Sequence, residues 1–201
     1  MKPLAVLAAT IGLLLAAAGT ASAQMPTIVR GVVAQASDTQ LVITGRDGKA
    51  VTVKLAPNWT VAVLKPIPVS QIQAGSFIGT TEMPQADGSG VSVEVHVFPP
   101  GVKMGEGHYP WDLQPGAMMT NGTVGTVTAV TGGQALDVSY PSGTRHVVVP
   151  PNAPVVLITP GGDHSLIKVG VSVFLVAAAG ADGSLTTNNV TTGEGGAAPP
   201  M

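Results

Sequence analysis

Gly75-Ser76-Phe77-Ile78 opens a segment that runs through Asp87-Gly88-Ser89 into Val91, Val93, Val95 and Val97. The same plan returns as Gly170-Val171-Ser172-Val173, running through Asp182-Gly183-Ser184 to Val190. Asp87-Gly88-Ser89 and Asp182-Gly183-Ser184 lie 95 residues apart, as do Gly75 and Gly170, Gly48 and Gly143, and Ile72 and Ile167. Asp-Gly between alternating apolar stretches is hairpin chemistry, because tight two-residue turns need φ > 0 and glycine adopts it without a steric penalty. The chain is therefore read as one small β unit written twice.

Outward from these turns, strands are expected near 28–36, 41–44, 50–55, 60–64, 76–82 and 90–98. The second series falls near 122–129, 135–139, 144–149, 154–158, 171–178 and 184–191. Val, Thr, Ile and Leu dominate over aromatics, and this β-branched bias with 26 Gly and 17 Pro disfavours helices. A short turn ends at Gly75 and at Gly170, with Ile72 or Ile167 placed to plug the end of a barrel. An open sheet in each half would leave unpaired edges, so closure is expected. Strict alternation in 90–98 puts the four valines on one face and turns Ser92, Glu94 and His96 to solvent.

Lys2, the apolar run from Leu4 to Ala18 and Ala21-Ser22-Ala23 form a secretory signal peptide at 1–23, with cleavage before Gln24. The run is too short for a spanning helix, so no stable membrane insertion is expected after cleavage, and the protein is placed in the periplasm or secreted. Nine basic against eleven acidic residues leave a net charge of −2 and no basic footprint for nucleic acid. With no cysteine, disulfides and thiolate chemistry are excluded.

The arrangement of Gly-x-Val opening a strand, a Gly-ended turn before a Val-rich strand, and Asp-Gly-Ser leading into the last strand resembles exported bacterial domains of unknown function with an OB-like small β-barrel. The resemblance covers 27–98 and 119–192 and implies a fold and a cell-envelope location, with no activity or site residues. The expected fold is all-β: two tandem OB-like small barrels of six strands each, preceded by the signal-peptide helix. The expected domains are barrel one at 24–98, a Gly, Pro and aromatic linker at 99–117, barrel two at 118–192 and a mobile tail at 193–201, too poor in apolar groups to order itself.

The linker departs most from simple repetition. Tyr109, Trp111 and Asp112 are candidates for contact with a partner, an envelope protein or small ligand held in a cleft between the barrels. Met104, Glu106, His108 and Met118 form an alternative candidate set for a metal ion, since imidazole suits Cu, Zn or Ni and thioether favours Cu(I). A packing role for Tyr109 and Trp111 explains the same residues with no cofactor. No Gly-x-Ser-x-Gly elbow or His-Glu-x-x-His helix is present, so no catalytic residue is assigned. The expectation is a non-enzymatic binding or scaffold protein, with a metal-ion or small-ligand carrier as the alternative.

Overall fold

The computed structural model describes residues 26–201; the expected signal peptide at 1–23 and its cleavage point lie outside the described residues. Twelve strands follow in order: β1 (Thr27–Ala36), β2 (Gln40–Gly45), β3 (Ala50–Pro66), β4 (Phe77–Pro84), β5 (Gly90–Val97), β6 (Gly107–Pro110), β7 (Met118–Val130), β8 (Gly133–Tyr140), β9 (Gly143–Val149), β10 (Val155–Gly162), β11 (Ser172–Ala179) and β12 (Leu185–Gly193). Short 3₁₀ turns occupy Val69–Gln71, His164–Leu166 and Glu194–Gly196. Among the described residues, no helix is long and apolar enough to cross a membrane.

The fold is all-β and contains a closed five-strand mixed barrel. Strands β12, β11, β1, β2 and β3 follow one another, and β12 returns to β3 in parallel from Leu185↔Val53 to Gly193↔Leu64. A second set runs β5, β4, β7, β8, β9 in the corresponding order, with β9 meeting β5 in parallel at Gly90↔Val147 and Val91↔Val148. We refer to these as lobe 1 and lobe 2. Strand β6 flanks β7 in lobe 2, and β10 lies between β3 and β5.

This pairing corrects the expected tandem arrangement, since neither half closes on itself. Lobe 1 joins β1–β3 of the first half to β11 and β12 of the second, while lobe 2 joins β4 and β5 of the first to β7–β9 of the second. The residues of lobe 2 are thereby contiguous, and those of lobe 1 flank them. The cause is visible in β3. The two strands expected at 50–55 and 60–64 are one 17-residue strand that continues through Pro57-Asn58 and carries the chain out of lobe 1. A register shift between Thr187 and Asn189 of β12 lies alongside this stretch, as suits a proline that cannot donate to the ladder.

The end of β3 pairs antiparallel with β10, its own counterpart in the second half. Leu64 lies opposite Ile158, and the flanking pairs Lys65↔Leu157 and Val63↔Thr159 exchange places about that point. The registers thus describe an approximate two-fold relation centred on Leu64 and Ile158. Val29, Val33, Leu41, Ile43 and Val53 pack with Val173, Leu175, Ala177 and Val190 in lobe 1. Ile72, Ile78, Val95 and Val97 pack with Val124, Leu136, Val138 and Val149 in lobe 2. Ile72 and Ile167 are both buried in these cores, and the turn glycines dock by Gly75 N donating to Val124 O (2.8 Å) and Gly170 N to Val33 O (2.9 Å).

Each lobe contains a close backbone approach at a matching position. A Cβ on Gly31 would fall 2.1 Å from Thr44 O, and one on its counterpart Gly122 would fall 2.4 Å from Ser139 O. The tail at 193–201 is also corrected. Gly193 ends β12, and Met201, 4% exposed, packs with Leu64 and Val156 while its carbonyl accepts from Arg30 Nε at 2.8 Å. A residue-poor tail orders here because it lies over a preformed apolar junction and needs little area of its own.

Candidate functional site

Alternation and register decide which side chains enter lobe 2. Ile78, Thr80 and Glu82 of β4 share a face with Gly122, Thr120 and Met118 of β7, their direct partners. The pairs Val138↔Arg145 and Leu136↔Val147 put Arg145 of β9 on the same face as the core valines. One end of lobe 2 is therefore filled by Ile78, Val97, Val124 and Val149, and the other by Thr80, Glu82, Ser92, Thr120 and Arg145.

At that polar end Glu82 is fully buried. Arg145 Nε donates to Glu82 Oε1 at 2.5 Å, while Nη1 and Nη2 donate to Gly88 O (2.5 Å) and Ser89 O (2.8 Å) in the β4–β5 turn. Burial raises the Glu82 carboxyl above its ordinary range, with the guanidinium acting in the opposite direction. Glu82 Oε2 lies where a Cβ on Gly90 would sit at 2.1 Å, so glycine makes room for the carboxylate. Thr80 Oγ1 and Ser92 Oγ are 2.7 Å apart and lie 2.8 and 2.9 Å from Glu94 O, so one hydroxyl donates to the other and the second donates to the carbonyl.

Strand β6 lays His108 over this end. His108 Nδ1 is 2.8 Å from Thr120 Oγ1 and 3.6 Å from Glu82 Oε1, and its ring lies 6.2 Å from that of Tyr140. Desolvation, followed by the nearby Arg145 charge, lowers its affinity for a proton.

The opposite face of the same strands carries a second buried network. The register shift between Thr81 and Glu82 lets Glu94 Oε1 accept from Thr81 N (3.0 Å) and Thr81 Oγ1 (2.7 Å), while Glu94 Oε2 lies 3.1 Å from His96 Nδ1. His96 is 5% exposed, which corrects the expected solvent-facing position. The bulge breaks the strict alternation from Val91 to Val97, and the outer face of β5 is itself covered. Asn121 Nδ2 donates to Tyr109 OH (2.8 Å) and Gly105 O (3.0 Å), and Tyr109 OH donates to Gly105 O (3.1 Å). Burial pushes the Tyr109 phenol up.

Of the sequence-selected residues, Tyr109 and Trp111 are half-buried anchors. Tyr109 fixes the 105–109 turn, and Trp111 lies under the Arg30 guanidinium, 5.5 Å from ring centre to Cζ. Arg30 also reaches Asp112 at 2.8 Å. Met104, 62% exposed, and Glu106 lie on the surface, whereas His108 and Met118 sit on the face shared with Glu82, next to Arg145. The four are not gathered around one point, and a guanidinium beside two of them opposes a cation there. Among the described residues, no group of three His, Asp or Glu side chains is placed to hold a metal ion. Glu82 and Glu94 are buried on adjacent strands but face opposite sides, so they form no carboxylate pair.

No family model, curated protein or solved structure matches this chain. The site therefore rests on its own geometry, and comparison between the two lobes supplies the missing signal. The pairings make Thr80, Glu82, Thr120 and Arg145 the counterparts of Leu175, Ala177, Val29 and Val51. Where lobe 1 is apolar, lobe 2 is charged. That contrast was present in the repeat itself, at an offset of 95 for Glu82 and Ala177.

Proposed function

We propose that this chain is an exported, non-enzymatic binding or scaffold protein of the bacterial cell envelope, built of twin OB-like small barrels. Its contact surface is the segment from Val102 to Asp112. The observation that carries this reading is the inward engagement of the polar groups around that segment. Arg145 directs one donor from each of its three nitrogens to Glu82, Gly88 and Ser89, and Asn121 and Thr120 hold Tyr109 and His108. These groups rigidify a surface whose exposed side chains are Val102, Lys103, Met104, Glu106, Pro110 and Asp112. A pre-ordered segment of aromatic and charged groups binds with little loss of side-chain entropy, which favours recognition of a folded partner protein.

The test is capture of envelope proteins on immobilised mature protein, wild type against Trp111→Ala. Loss of the partners that wild type retains, with unchanged thermal unfolding, is the expected result. A folded Trp111→Ala variant that keeps every interaction would remove this reading.

A further inference from the structure

Two strand assignments are open to a chain that carries one β unit twice. The β4–β5 hairpin can close on β1–β3 of its own half, or on β7–β9 of the other, as it does. The apolar cores scarcely distinguish the two, since Ile78 and Val173 are counterparts, as are Val95 and Val190. The polar end of lobe 2 does distinguish them.

We infer that the buried Glu82–Arg145 pair, backed by Thr80 and Thr120, is the address that assigns the β4–β5 hairpin to β7–β9 and so dictates the exchanged fold. Seated on β1–β3, β4 would place Thr80 opposite Val29, and Glu82 beside Val51 in the position of Arg145. The carboxylate would then be buried without its guanidinium. In the same rearrangement, β11 seated on β7 would present Leu175 and Ala177 to Thr120 and leave Arg145 without its acceptor. Both lobes are mismatched at once, because a buried charge deprived of its partner is strongly disfavoured. Arg145 also holds the Gly88 and Ser89 carbonyls, but the equivalent Gly183-Ser184 turn of the competing hairpin carries the same backbone acceptors, so the discrimination falls on the carboxylate. The arrangement works as selection against a competing pairing, since lobe 1 is fully cored at the same positions without any charge.

The absence of cysteine makes the test direct. Ile28 lies opposite Val176 on the outer face of β1 and β11, so an Ile28→Cys/Val176→Cys disulfide reports the exchanged pairing. Thr81 is the counterpart of Val176, so an Ile28→Cys/Thr81→Cys disulfide reports the unexchanged one. Each cysteine pair is placed in the native chain and in a Glu82→Ala/Arg145→Val background, refolded and oxidised, and read by non-reducing mass analysis. The native chain is expected to form only the first bond. The double variant is expected to form the second as well, within a chain or between chains, with the preference falling at least about tenfold. Should the double variant not refold, Val51→Arg/Ala177→Glu in the native chain asks the same question, because both lobes then carry the address and the second bond is again expected. A folded variant of either kind that forms only the first bond overturns the proposal. So does failure of both to fold, because the proposal requires pairing that becomes ambiguous and not pairing that is lost.

Discussion

Cutting the chain in the turn between its halves distinguishes exchanged from tandem strands without altering any buried residue. A protease recognition sequence inserted between Lys103 and Met104, both exposed, allows cleavage after folding. The second half contributes Val173, Leu175 and Val190 to the lobe 1 core, and the first contributes Ile72, Ile78, Val95 and Val97 to the lobe 2 core. At about 2 kcal/mol for each buried aliphatic side chain, these give roughly 14 kcal/mol of gross association energy. Subtracting about 5 kcal/mol for lost translational and rotational freedom leaves about 9 kcal/mol. The ladders β1–β11, β3–β12 and β4–β7 add about 0.5–1.5 kcal/mol per hydrogen bond, which brings the dissociation constant to about 10 nM or tighter. Size-exclusion chromatography with light scattering on the cut protein at micromolar concentration should therefore show one particle of unchanged mass, which resolves into two fragments only in denaturant. Two separate half-mass peaks in native buffer would refute the exchanged pairing.

Arg145→Met leaves Glu82 buried without its partner and should destabilise the protein by about 3–5 kcal/mol in chemical denaturation, whereas Glu82→Gln/Arg145→Met should recover more than half of that loss. Because burial raises the Glu82 carboxyl, the folded state holds its proton to higher pH than the unfolded state does. The Glu82 contribution is therefore fully present below the unfolded value near 4.5 and is lost as pH rises through the folded value. Wild type minus Glu82→Gln stability, measured by denaturation from pH 3 to 7, should decline with rising pH, and a flat difference would contradict the assignment. The lowered carboxyls of Asp87, Asp137, Asp163 and Asp182 act with the opposite sign, lost as pH falls, and cancel in that subtraction. Gly31→Ala drives a methyl group against Thr44 O and should cost about 3 kcal/mol, while Gly125→Ala, whose nearest neighbour would be 3.6 Å away, should be neutral or stabilising in the same thermal melt.

Turn chemistry was the most legible part of the fold. Gly48, Gly88 and Gly183 all have φ between 77° and 84°, as Asp-Gly hairpins require, and Gly75 and Gly170 follow their 3₁₀ turns at 87° and 89°. Partner choice was not legible, because alternation reveals which face of a strand is buried and not which strand lies beside it. Two halves with the same pattern satisfy either assignment equally. The irregularity opposite Thr81 and Glu82 turns Ser92 inward, whereas His96 keeps its outer face and is buried because that face is covered; Met201 is ordered by a distant feature, the apolar junction of Leu64 and Val156. The candidate site escaped notice because Glu82 and Arg145 are 63 positions apart, and neither stands in a motif.

The contiguity of lobe 2 within the chain has a kinetic meaning. Residues 77–149 can finish their own pairings as soon as Val149 is available, whereas β1, β2 and β3 wait for β11 and β12, more than a hundred positions after β3 ends. Until the last two strands are available the first three lack their pairing partners and carry bare edges, and this long sequence separation makes closing lobe 1 the slower and more aggregation-exposed step by topology. A chaperone acting on this protein would find its target in the segment made first.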